Sequence, residues 1–166
     1  MARRCFYSFH YERDASRAAQ VRNIRVIEGS RPATDNEWET IARGGEAAIK
    51  RWIAGQLEGR SCTVVLVGTQ TANRPWINYE IVESWNRGLG VVGIRIHGLK
   101  NLDGLISNPG SNPFDFITHR PYGKSLSTIV KCYDPGGADS KERYAWISKY
   151  LEAAVEEAIG GRNSNQ

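Results

Sequence analysis

The chain has 166 residues, 40% of them hydrophobic, which suits one domain with a core of its own. No apolar run approaches a membrane span, and the basic start "MARRCFYSF" leaves no room for a signal-peptide core before His10, so a soluble, cytoplasmic protein is expected. The net charge of +4 is spread along the chain with no Lys/Arg cluster interleaved with aromatics, so a nucleic-acid groove is not indicated, although a small phosphate-bearing ligand suits the charge.

"CFYSF" (5–9) reads as a first strand, and Asp14 as the cap of a helix over "ASRAAQVR". "NIRVIEG" (23–29) is a second strand, broken by Gly29-Ser30-Arg31-Pro32. "PATDNEWETIARGG" reads as a loop leading to a helix with Ile49, Trp52, Ile53 and Leu57 on one face. "SCTVVLVG" (61–68) is the strongest strand, apolar enough through its middle to be covered on both faces. Pro75 suits a first helical turn, and "WINYEIVESWNRG" places Ile77, Ile81 and Trp85 on one stripe.

"VVGIRI" (91–96) is a fourth buried strand. The Gly-, Asn-, Pro- and Ser-rich stretch across 98–125 is long for a loop, which points to a functional role such as a lid. "LSTIVKCYD" (126–134) gives a fifth strand. Asp139 with Glu142 resembles a capping box for a last helix that turns Ile147, Tyr150, Leu151, Ala154 and Val155 inward and stops at Gly160-Gly161. Residues 1–160 therefore read as a single domain and 161–166 as a flexible tail.

Alternating strands and helices with buried strands predict an α/β fold, a flavodoxin-like three-layer sandwich around a central parallel five-stranded sheet. Ligands of such sheets bind beyond the carboxyl ends of the strands, here Phe9-His10, Gly68-Thr69 and Ile96-His97. Glu80 follows one of these ends by about a dozen residues, near the start of its helix. It sits beside Trp76 at i,i+4 and about a quarter turn from the core stripe. The ordinary reading is a first-turn acid favouring the helix dipole. A carboxylate set between Trp76 and Tyr79 near a strand-end crevice asks for more.

Other chemistries fit less well. Three widely spaced cysteines, Cys5, Cys62 and Cys132, without a CxxC pair, read as buried reduced thiols, and the scattered histidines have no metal-ligand spacing. No GxGxxG or GxxxxGK[ST] is present. A phospho-acceptor module would want an Asp at the end of the third strand, where "VGTQT" stands. Ser8 and His10 share only a direction on their strand, a poor nucleophile and base.

Together "RRCFYSFHYERD", "VRN", "AAIKRWIAGQLEGRSCTVVLVGTQTANRPWINYEI" and "NPFDF" resemble the TIR-like domain family of MTH538-type fold, most of all its members in Thoeris anti-phage defence systems. The likeness is good over residues 3–97 and weaker beyond. It implies an enzyme in which Glu80, in a Trp76-x-x-x-Glu80 pattern, is the catalytic residue. Such an enzyme cleaves NAD at the nicotinamide–ribose bond and makes a cyclic ADP-ribose isomer that activates a separate effector. NAD is then substrate and no cofactor is needed. The implied partners are that effector, reached through the diffusible nucleotide, a phage-derived trigger, and further copies of the chain on activation, with no nucleic acid and no membrane. The substrate-binding candidates are Ser8, Phe9, His10, Asn23, Trp38, Thr69, Trp76 and Tyr79, of which Phe9, Trp38, Trp76 and Tyr79 could stack on rings. The alternative of another class is a non-enzymatic adaptor acting by self-association, which has no need of the Trp76–Glu80 pair.

Overall fold

A computed structural model describes residues 2–119 and 123–164. The chain opens with β1 (Arg4–Ser8) and α1 (Tyr11–Arg22), followed by a two-residue strand β2 (Glu28–Gly29), α2 (Asp35–Arg43) and α3 (Gly45–Leu57). Next come β3 (Cys62–Val67), α4 (Pro75–Asn86) and β4 (Gly90–Arg95). A short antiparallel pair, β5 (Thr118–His119) with β6 (Lys124–Ser125), precedes β7 (Cys132–Tyr133) and α5 (Ser140–Ser164). The order β2-β1-β3-β4-β7, with every pairing parallel, is the flavodoxin-like arrangement expected from the alternation of elements.

Side chains alternate across a strand, and β3 shows what that does in a sheet covered on both sides. Cys62, Val64 and Leu66 join Cys5 and Tyr7 of β1 in a core under α1 and α5, built with Ala18, Val21, Ile147, Leu151 and Val155. Val65 and Val67 face the other way, against Ile77 and Ile81 of α4 and Phe114. On that same side, Phe6 of β1 packs on Ile49, Ile53 and Leu57 of α3. All six residues of β3 are buried, as its apolar run requires.

Several local expectations are corrected. α1 begins at Tyr11, and Asp14 is a buried residue inside it, not its cap. The stretch read as a loop at 32–45 contains α2, whose N-terminus Thr34 caps by accepting from the Glu37 amide. The fifth strand is only Cys132–Tyr133, because Leu126–Thr128 turns as a short 3-10 helix. Tyr150 is exposed. α5 runs through Gly160 and Gly161 to Ser164; the rest of the expected tail, residues 165 and 166, lies outside the described residues. The capping of α5 is close to expectation: the Glu142 amide donates to Asp139 Oδ1, and Glu142 Oε2 accepts from the Ala138 amide. All three cysteines are free, Cys5 and Cys62 buried and Cys132 partly so. Among the described residues, no helix is long and apolar enough to cross a membrane.

Candidate functional site

Alternation along β1 puts Cys5 and Tyr7 under α1 and α5, which leaves Phe6 and Ser8 on the side of α3 and α4. Ser8, the last residue of β1, is 1% exposed and donates from Oγ to Glu80 Oε1 at 2.7 Å. Two features bring Glu80 to that point. Pro75 occupies the first turn of α4, where its missing N–H costs nothing. A buried polar link then fixes the helix on β3: Ser84 Oγ donates to the Glu80 carbonyl at 2.6 Å and lies 2.6 Å from Thr63 Oγ1. With its one proton committed to the carbonyl, Ser84 accepts from Thr63. Ile77 and Ile81 bury themselves on the same face, so the rotation of α4 is set by both polar and apolar contacts.

Desolvation pushes the Glu80 carboxyl up to about 8, and the Ser8 hydroxyl, bonding the charged form, pulls it only part of the way back. The residue as a whole is only half-buried, so the acid is enclosed without being sealed deep in the core. At neutral pH it is mainly protonated, and a cation placed against it would favour its ionisation.

The other expected site residues divide by where the fold puts them. His10 precedes α1 at the C-terminal edge of the sheet, its imidazole held below the usual range first by burial and then by the Arg74 guanidinium. Thr69 follows β3 at the same edge, and its hydroxyl donates to the Asn108 carbonyl. Trp76 and Tyr79, on the first turns of α4, meet edge-on at 5.6 Å and pack against the α3 cluster. Lys50 sits 5.4 Å over the Tyr79 ring. Phe9 goes the other way, joining the core under α1 with its ring 6.3 Å from Tyr11, so strand alternation separates it from Ser8. Trp38 lies on α2 edge-on to Trp52 of α3, at 6.0 Å. Asn23 is not brought to the site. It ends α1 at the opposite edge of the sheet, near where Glu28 pairs with Arg4 at the start of β1.

Sequence reading missed the buried Asp14–Arg17 pair, 3.0 Å apart across one turn in the middle of α1. Burial raises the Asp14 carboxyl, against the opposing pull of Arg17. Its Oδ2 and the Nδ1 of buried His97, just after β4, have no hydrogen-bond partner. The i,i+3 spacing of Asp14 and Arg17 was the available signal. Arg17's remaining acceptors lie 82 to 90 residues away and leave no local trace.

Comparison with known proteins bears on this geometry. The family model described as Thoeris protein ThsB, TIR-like domain, matches residues 6–101, which contain Ser8, Thr69, Trp76 and Glu80. The chain is also similar to a Bacillus cereus (strain MSX-D12) protein named "Putative cyclic ADP-D-ribose synthase ThsB1". The two are 38% identical over 125 residues, covering 72% of this chain and 65% of that protein. The chain thus spans a little under two thirds of that relative's length.

Proposed function

This chain belongs to the ThsB TIR-like domain family of Thoeris systems, and we propose that it breaks the nicotinamide–ribose bond of NAD at Glu80 and closes the remaining ADP-ribose into a cyclic signal. The observation that supports this most is the Ser8–Glu80 pair, an enclosed carboxyl aimed at the C-terminal edge of a parallel sheet. An enclosed acid of raised pKa at the edge where such sheets bind their ligands is what proton handling at neutral pH asks for.

The chemistry follows from the charges. The nicotinamide of NAD is cationic, so it leaves with the electron pair of the C1′–N bond and needs no proton. Positive charge then develops on the ribose, as in other glycosyl transfers. The bound cation favours the ionised Glu80, and the carboxylate stabilises the developing charge while accepting a hydrogen bond from a ribose hydroxyl. Ser8 holds one carboxylate oxygen and leaves the other for the substrate. For cyclisation, a nitrogen or hydroxyl of the same ADP-ribose attacks C1′, and Glu80 takes the proton that this nucleophile loses. Water attacking instead would give linear ADP-ribose, so a crevice that holds the adenosine end near C1′ favours the ring. The diffusible product would act on a separate effector in anti-phage defence, in the cytoplasm and upon a phage-derived trigger.

The name of the Bacillus relative supports a cyclic ADP-ribose product, and the enclosed Glu80 supports an enzyme over an adaptor working by self-association. The test is purified protein incubated with NAD and assayed for nicotinamide. Glu80→Gln should stay folded and lose at least ~10²-fold in rate, as removed electrostatic stabilisers do. A folded Glu80→Gln protein of wild-type rate would take Glu80 out of the mechanism.

A further inference from the structure

An arginine on a surface helix ordinarily keeps its charged head in water. Arg17 of α1 is 1% exposed. Its guanidinium donates Nη1 to Asp14 Oδ1 at 3.0 Å and Nε to the Leu99 carbonyl at 2.8 Å. Nη2 donates to the Leu105 carbonyl at 3.0 Å and to Ser107 Oγ at 2.8 Å. Three of the four acceptors belong to the chain that leaves β4.

That stretch is fastened again further on, at the ends of β3 and β4. Thr69 Oγ1 donates to the Asn108 carbonyl, and Arg95 Nη1 to the Gly110 carbonyl. Gly110 lies so close that a Cβ there would stand 2.6 Å from the Thr69 carbonyl oxygen and nearer still to that of Gly68. Gly68 in turn presses on Asp14, whose Cγ would be 2.7 Å from a Cβ at Gly68. The contacts form a closed circuit, from Arg17 through residues 99–110 to Gly68 and back to Asp14. Gly68 and Thr69 open the turn into α4, whose second turn carries Glu80.

We infer that Arg17 is a positioning residue: it holds residues 99–110 as a fixed wall over the end of β3, so the Glu80 site keeps its ligand-binding shape without a closing lid. This rests on the reading of Glu80 as the centre of the substrate site. The planar fork of arginine reaches two carbonyls, a hydroxyl and a carboxylate at once. A lysine ammonium at the same place keeps the charge opposite Asp14 and loses that geometry.

The experiment compares wild type, Arg17→Lys, Gly110→Ala and the double variant by thermal melting, amide exchange over 99–110, and steady-state kinetics with NAD. Gly110→Ala drives the wall off β3 without touching α1, so it stands in if Arg17→Lys does not fold. Each single variant is expected to speed exchange in 99–110 at least ~10-fold and to raise KM at least ~10-fold with kcat within ~3-fold, a loss of binding and not of chemistry. The double variant should be no worse than the more damaging single, because both act on one element. Unchanged exchange in both variants overturns the clamp, and faster exchange with wild-type KM overturns the wall. A wild-type protein inert toward NAD would fail the functional reading instead, leaving exchange to decide the clamp.

Discussion

Glu80→Gln separates what the site does from what the fold tolerates. The wild-type carboxyl has its ordinary value of 4.5 when unfolded and about 8 when folded, raised by burial. A raised acid holds its proton more tightly in the folded state, so its stabilising share is complete below the unfolded value and is lost as pH climbs through the folded one. The difference of about 3.5 units, at ~1.4 kcal/mol each, makes the ionised buried carboxylate cost about 5 kcal/mol above pH 8. The residue's partial exposure makes that an upper figure. Glutamine keeps an oxygen to accept from Ser8 and never ionises. The variant should therefore melt close to wild type near about pH 5 and well above it near about pH 8.5, by on the order of 10 °C for a chain of this size. Melting curves followed by circular dichroism at both values read this directly. Equal differences at the two pH values would refute the claim that Glu80 is held protonated by burial.

The same titration predicts that kcat/KM for NAD rises with pH and levels off above about 8, since the free protein must ionise Glu80 to use it; a rate flat from pH 6 to about 9 would contradict this. Ile81→Asp should abolish folding, as it sets an unpaired charge where Ile81 is 0% exposed, at a cost of several kcal/mol; a soluble variant with the wild-type Tm would show that α4 is turned differently. Ser84→Ala leaves the buried Thr63 hydroxyl without its acceptor and should cost about 1–3 kcal/mol in a urea titration, whereas an unchanged midpoint would deny the link that sets α4 on β3.

How far the sequence could be read varied with the distance over which each feature is decided. β3 was plain because a run of apolar β-branched residues has few other uses, and α4 because Pro75 marks its first turn. α2 hid because none of its residues is buried, although Thr34 and Glu37 stood at capping spacing. Asp14 reads as a cap because local spacing offers an acid near a helix start nothing better. Its Arg17 partner is held by carbonyls far along the chain. The stop at Gly160-Gly161 failed for a tertiary reason. Arg162 donates to the Trp85 carbonyl at 2.9 Å from Nη2 and lies 4.5 Å over the Trp85 ring, so packing carries α5 through two poor helix formers. At the site, spacing found Glu80 and the strand ends, but the two-residue alternation of β1 decides that Ser8 and not Phe9 meets it.

Intramolecular closure of ADP-ribose at Glu80 is what separates the proposed reaction from simple hydrolysis of NAD. The direct measurement is mass spectrometry of the products formed from NAD in water enriched in heavy oxygen. Free nicotinamide and a nucleotide one water lighter than ADP-ribose, carrying no heavy oxygen, are expected, both reduced at least ~10²-fold with Glu80→Gln. Linear ADP-ribose labelled with one heavy oxygen, or the same products at the wild-type rate from a folded Glu80→Gln protein, would contradict this.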